Sequence, residues 1–298
     1  MGAPELVADV PCRTGEGPLW HPEEECLYWM DIPDGHLFRY EARGGFLRVH
    51  EGPVLGAVTL QREGSLALLG IHGGVWLWRG ELREVISSLP AVRGTRFNDA
   101  LADPTGRILA GTMPTASAKS LLLAIEPNGR CRTVLSDLGQ SNGMALSQDH
   151  RTLYHVDTRA GVLQVFRYDV ETGTPESPRV IAEFPESEGV PDGMALDEEG
   201  CLWVAMWGGG CLRRLNAKGE RIEELRVPTS LVSSVAFGGA DLSDLYITTA
   251  GGDDRARHGA LAGSLFVARP GVRGVARLRS ALQDPAPRGS PDTFVPTR

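Results

Sequence analysis

Residues 192–204 read Asp192-Gly193-Met194-Ala195-Leu196-Asp197-Glu198-Glu199-Gly200-Cys201-Leu202-Trp203-Val204. An apolar run, an acidic turn closing on glycine and a second apolar run form the pattern of two strands joined by a tight turn. The unit returns upstream. Asn142-Gly143-Met144-Ala145-Leu146 leads through Ser147-Gln148-Asp149-His150 to Thr152-Leu153-Tyr154-His155-Val156. Asn98-Asp99-Ala100-Leu101-Ala102 leads through Asp103-Pro104-Thr105-Gly106 to Arg107-Ile108-Leu109-Ala110. Weaker copies begin at Glu16, Ala57 and Ser234, so that six units start at positions 16, 57, 98, 142, 192 and 234, separated by 41, 41, 44, 50 and 42 residues. A four-stranded propeller blade repeats every 40 to 45 residues or so. Each interval has room for two further strands, such as Gly74 to Trp78 and Leu82 to Ile86. Turns rich in Gly, Pro and Asp, with no apolar stripe of period 3.6, argue against a helical solenoid. The expected fold is all-β: a six-bladed β-propeller over residues 1–278. The segment Glu5 to Val10 is expected to supply the missing strand of the last blade and close the ring, which removes two exposed sheet edges. Residues 279–298, with Asp284-Pro285-Ala286-Pro287 and Gly289-Ser290-Pro291, are expected as a loose tail.

The bulk composition agrees with one large all-β domain. The chain has 298 residues, 42% of them hydrophobic and 23% charged, and no run long enough to cross a membrane. A net charge of −8 argues against a nucleic-acid partner, which needs a basic face. Met1 to Val10 lacks the basic-then-apolar order of a secretory signal, so a cytoplasmic monomer is expected. Cys12, Cys26, Cys131, Cys201 and Cys211 include no close pair and are expected as buried, reduced thiols.

Equivalent positions in successive blades lie on a ring around the central channel. The six aligned residues are Glu16, Ala57, Asn98, Asn142, Asp192 and Ser234, and four of them carry a carboxylate or carboxamide oxygen. Any one Asn or Asp here is explained by turn formation and backbone capping. Four in register are better explained by a cation, because carboxylates crowded at an axis lose hydration and repel unless positive charge sits between them. Oxygen donors point to a hard divalent ion such as calcium, magnesium or manganese, with catalytic zinc or iron(II) as alternatives.

Gly15-Glu16-Gly17-Pro18-Leu19-Trp20, Arg96-Phe97-Asn98-Asp99, Ala110-Gly111-Thr112-Met113, Ser141-Asn142-Gly143, Pro191-Asp192-Gly193-Met194 and Ala236-Phe237-Gly238-Gly239 together resemble the regucalcin (senescence marker protein) and gluconolactonase family over about residues 5 to 270. The resemblance implies a six-bladed propeller that binds one divalent metal and opens sugar lactones. It also implies that Glu16, Asn142 and Asp192 hold the metal, and that Arg96 and Asn98 bind substrate. One departure stands out. Where many relatives carry acidic residues in a loop over the substrate, this chain has Pro114-Thr115-Ala116-Ser117-Ala118-Lys119.

The expected function is metal-dependent hydrolysis of small aldonolactones, such as glucono- or pentonolactones, to the aldonic acid. Asp192 is the candidate general base, with a role as ligand only as the alternative, since a metal-bound carboxylate is a poorer base. Arg96 has a fork of donors and Asn98 both donates and accepts, which suits a polyol. A propeller phosphotriesterase or fluorophosphatase, and a non-enzymatic calcium-binding propeller, are the competing readings. The seven histidines show no metal-ligand spacing, and most are expected at exposed or turn positions. Ser141 shows no His or Asp relay in the sequence, which argues against a serine hydrolase. Trp203 and Trp207 are expected as core or channel wall.

Overall fold

The computed structural model describes residues 2–284. The strands fall into six four-stranded antiparallel sheets. Their innermost strands, Gly15–His21, Leu55–Leu60, Phe97–Ala102, Ser141–Leu146, Val190–Leu196 and Val232–Gly238, touch one another in a closed circle. The chain is the six-bladed β-propeller that the repeat spacing predicts. Its sixth blade takes the outermost strand from the N-terminus: Glu5–Ala8 pairs antiparallel with Leu265–Ala268. No helix among the described residues is long and apolar enough to cross a membrane.

Six apolar clusters fill the wedges between neighbouring blades. Strand Leu202–Trp207 shows why such segments read as continuously apolar. Leu202, Val204 and Met206 pack toward blade four, while Trp203 and Ala205 pack toward blade six. Alternate side chains leave opposite faces of a strand, and here both faces are buried. The Trp203 indole N–H keeps a partner by donating to Asp197 Oδ2 at 3.0 Å. All five cysteines are free, four of them buried and Cys131 half-buried.

What positions the ring is a repeated irregularity. In every blade the ladder between the first and second strands slips at the axial end, at Glu16/Leu19, Leu55/Ala57, Phe97/Ala100, Ser141/Met144, Pro191/Met194 and Val232/Ser234. A bulge takes residues out of the ladder and re-aims their side chains. The glycine following the ring residue in two blades meets a second demand. A Cβ on Gly143 would sit 2.4 Å from Asp192 O, and one on Gly193 would sit 2.1 Å from Ser234 Oγ, so adjacent inner strands come this close only without side chains there.

The C-terminal segment is not the loose tail expected from residue 279. Residues 273–283 form a strap across one mouth of the channel. On one side Gly274 N–H donates to Leu242 O (2.9 Å) and Val275 N–H to Leu196 O (3.2 Å). On the other, Ser280 donates to Leu60 O (2.9 Å), Ala281 to Gly106 O (2.9 Å) and Gln283 to Pro127 O (2.7 Å). Ser280 is fully buried, and Leu282 joins the core between blades two and three. The correction covers 279–284; residues 285–298 of the expected tail lie outside the described residues. Because the strap passes from blades five and six to blades two and three with no repeating contact, the segment has no period for the sequence to display.

Two histidines also depart from expectation. His21 and His155 are buried, not exposed. His155, on strand Thr152–Asp157, shares a hydrogen bond of 2.8 Å between its Nε2 and Ser141 Oγ. Its Nδ1 has no partner among the described residues. Burial pushes the ring down to about 4, against the opposing pull of Asp157. The unfolded chain, whose histidine titrates near pH 6.5, therefore takes up this proton first as the pH falls. The stability held above pH 6.5 is lost progressively toward pH 4, by about 3 kcal/mol for this one group. His155→Gln is expected to remove that component. Chemical denaturation at pH 7, 5.5 and 4 checks it, and an unchanged slope of stability against pH in the variant would refute it.

Candidate active site

The mouth opposite the strap opens into a cavity of ≈ 860 Å³, and Glu16, Arg96, Asn98, Asn142 and Asp192 all line it. The bulges thus bring together, from four blades, all five residues singled out in the sequence. Asn142 Nδ2 donates to Thr158 Oγ1 (3.0 Å) and to Asp192 Oδ1. Its Oδ1 accepts no hydrogen bond among the described residues and is left as an oxygen donor. Thr158 Oγ1 in turn donates to Pro191 O at 2.8 Å, which ties the Asn142 amide to the backbone beside Asp192. Arg96 Nη1 donates to Phe97 O (2.8 Å) and Asn98 Oδ1 (3.0 Å), and Asn98 Nδ2 donates to Ser141 O (3.0 Å). The orientation of Asn98 is thereby fixed, while Arg96 Nε and Nη2 have no hydrogen-bond partner among the described residues.

The electrostatics are those of crowded acids. Burial, and after it the charge of Asp99, push the Glu16 carboxyl up to about 8 against the opposing pull of the Gly17 N–H (2.9 Å), Arg96 and Ser234. Asp192 is held well above the usual carboxylate range, first by burial and then by repulsion from Glu16 and Asp99, with Asn142 and Arg96 opposing. Arg96 is lowered by burial despite both acids. Two such carboxyls beside an amide oxygen form a donor set that suits a hard divalent cation.

Asp99 is the charged residue that sequence reasoning missed. It sits one residue past Asn98, and the bulge sends the two to opposite sides: Asn98 to the large cavity, Asp99 to a cavity of ≈ 80 Å³ beneath it, which the strap residue Arg277 also lines. Burial raises Asp99 to about 6 against the opposing pull of Arg277 and the Ala100 N–H. The signal was present in the quoted Arg96-Phe97-Asn98-Asp99 motif, but a strand without its bulge gives no reason for both residues to face the channel.

Two further acids act from behind the ring. Asp157 accepts N–H bonds from Gly139 (2.8 Å) and Gln140 (2.9 Å), just before Asn142. Asp31 does the same for Arg13 (3.0 Å) and Thr14 (2.9 Å), just before Glu16. These are one device repeated in blades one and four. It accounts for the group Asp31, Asp34 and His36, whose oxygen and nitrogen atoms lie within 4.8 Å of one another. Asp31 is occupied by backbone N–H groups, Asp34 faces Arg13 (3.4 Å) and His36 Nε2 faces Arg48 Nη1 (3.0 Å), so donors already fill the space between them.

Other expectations resolve directly. Ser141 does have a histidine partner, yet both residues are fully buried, neither lines the cavity, and no carboxylate bonds His155 Nδ1. The pair is structural. Ser141 N–H also donates to Ser120 Oγ (2.9 Å), which anchors the strand that carries Asn142. Trp203 is core and Trp207 is cavity wall. Pro114–Lys119 folds on itself, with Thr115 N–H donating to Ala118 O at 2.8 Å, and adds no carboxylate to the cavity.

The profile of the SMP-30/Gluconolactonase/LRE-like region matches residues 14–251. A pentonolactonase of Haloferax volcanii is 43% identical over 83% of this chain and 85% of its own length. A 6-deoxy-6-sulfogluconolactonase of Pseudomonas putida is 36% identical over 91% of this chain and 96% of its own. The solved structure of a calcium-binding regucalcin from Agrobacterium tumefaciens superposes with a TM-score of 0.84 at 26% identity, covering 94% of this chain and 97% of that one. The profile match spans the blades that carry every ring residue, and the chain belongs to the SMP-30/gluconolactonase family.

Proposed function

We propose that the protein is a metal-dependent lactonase that opens small aldonolactones to aldonic acids, with Glu16, Asn142 and Asp192 holding one divalent ion and Arg96 and Asn98 holding substrate. The observation that carries this reading is the pair Glu16 and Asp192: two carboxyls in one cavity, both raised by burial and by a neighbouring acid's charge (Asp99 for Glu16, Glu16 and Asp99 for Asp192), beside an amide oxygen with no partner among the described residues. The names of the two curated relatives, a pentonolactonase and a sulfogluconolactonase, support an aldonolactone as substrate.

A bound divalent ion supplies Lewis acidity toward the lactone carbonyl and offsets the repulsion between the acids. The chain's own residues supply the rest. Asp192 Oδ1 is taken by the Asn142 amide, which leaves Oδ2 to accept the proton of the attacking water. The water oxygen joins the carbonyl carbon, the ring C–O bond breaks, and the proton passes to the departing alkoxide, giving the hydroxy acid. Arg96, through its uncommitted Nε and Nη2, and Asn98, held by Arg96 and Ser141, bind ring hydroxyls and orient the carbonyl.

Asp192→Asn keeps size and one ligand oxygen but removes the base. It is expected to lower kcat at least about 100-fold, with a smaller loss of metal affinity. Elemental analysis, expected to give about one ion per wild-type chain, combined with lactonase kinetics after reloading with calcium, zinc, manganese, magnesium or iron(II), checks this. Near-normal kcat with metal bound would remove Asp192 from the role of base.

Asn98→Ala is expected to keep the metal and raise KM, because it loses substrate contacts and releases Arg96 from its orienting bond. Loss of the ion in this variant would instead make Asn98 a ligand. A panel of gluconolactone, a pentonolactone, an acyl-homoserine lactone and a phosphotriester fixes the substrate class, and faster turnover of either of the last two would overturn the sugar-lactone reading.

A further inference from the structure

The reaction cavity has a cation on its wall that the proposed chemistry does not use. Arg159 lines the cavity and is exposed, and among the described residues it makes no hydrogen bond or ion pair. Other arginines of the chain are paired with acids: Arg13 with Asp34 and Asp253, Arg213 with Glu188 and Glu224, Arg255 with Asp9. Glu186 lines the same cavity, yet among the described residues it forms no ion pair with Arg159, so the guanidinium is free to take a ligand.

The backbone that carries Arg159 is held on both sides. Asp157, whose carboxylate fixes Gly139 and Gln140, also accepts the Ala160 N–H at 3.3 Å. Thr158 N–H donates to Gln140 O (3.0 Å), and Gly161 N–H returns to Thr158 O (3.1 Å). Gly139 packs so closely that a Cβ there would lie 2.9 Å from Arg159 Cβ. The backbone from which the Arg159 side chain springs is thus a fixed turn on the cavity wall. Thr158 Oγ1 is bonded to Asn142, and Arg159 is the next residue outward. A lactone whose carbonyl lies at Glu16, Asn142 and Asp192 presents its far end to this wall. A cavity of ≈ 860 Å³ lies toward the upper end of the range for drug-sized ligands, so it has room for a substituent beyond a bare sugar ring.

Resting on the aldonolactone reading above, we infer that Arg159 binds an anionic group at the end of the substrate remote from the lactone carbonyl, making the preferred substrate an aldonolactone with a terminal carboxylate, sulfonate or phosphate. The planar fork of a guanidinium pairs with two oxygens of any of these groups. Loop Pro114–Lys119 contributes no acid to oppose it, and Glu186, the acid that shares the outer part of this lining, makes no ion pair with it among the described residues.

The test compares kcat/KM on gluconolactone with that on its 6-phospho, 6-sulfo and 6-carboxylate counterparts, for wild type, Arg159→Ala and Arg159→Glu. Wild type is expected to favour at least one anionic lactone by about tenfold, through KM, with the preference shrinking as salt is added. The variants are expected to bring the ratio to near one (Ala) or below one (Glu), and the favoured lactone tells phosphate, sulfonate and carboxylate apart. A wild-type ratio near one, or a ratio unmoved by both variants, would overturn the inference. Calorimetric binding of gluconate and 6-phosphogluconate to the same proteins separates the two layers. If no lactone is hydrolysed yet 6-phosphogluconate binds tighter only when Arg159 is present, the lactonase reading fails and the anion site stands; equal binding by all three proteins removes the anion site.

Discussion

Glu16, Asp99 and Asp192 come from three different blades and crowd the channel: Asp99 raises the proton affinity of Glu16, and both raise that of Asp192, on top of burial. Left alone, that repulsion favours pushing the inner strands apart. Everything around it resists. The Asn142 amide bonds Asp192, Gly17 N–H bonds Glu16, and Arg96 sits beside both acids with its own charge disfavoured by burial. A closed ring suits such a load, because no blade can move outward without breaking packing at two wedges and the strand pairing at Glu5–Ala8. The acids are tolerated because the architecture has no free edge along which to relax.

The same logic explains the second tier of residues. Asp31 and Asp157 spend their oxygens on backbone N–H groups, Ser141 is caught between Ser120 and His155, and Thr158 bridges Asn142 to Pro191. None needs to touch substrate. Each fixes the segment just before or beside a ring residue, so the ring inherits its precision from buried hydrogen bonds that would be costly to break.

The ring was legible in the sequence because a repeat converts positions far apart in the chain into neighbours. Glu16, Asn98, Asn142 and Asp192 could be aligned by spacing alone. What escaped was whatever breaks the repeat. Asp99 faces the channel only because the ladder slips between Phe97 and Ala100. Asp31 and Asp157 read as ordinary strand ends, and His155 as one of several scattered histidines. The strap at 273–283 hydrogen-bonds to four blades through its backbone, and no local pattern can encode such a path.

That strap gives the channel a direction. By crossing beneath the ring it leaves only a space of ≈ 80 Å³ on the far side, shared by Asp99 and Arg277 and too small for a sugar ring, while the broad cavity stays open above. The propeller is therefore a cup and not a tube. Whatever enters must leave by the same door, so arrival of one molecule and departure of its predecessor exclude each other, and each cycle includes a wait while the bottom of the cup empties.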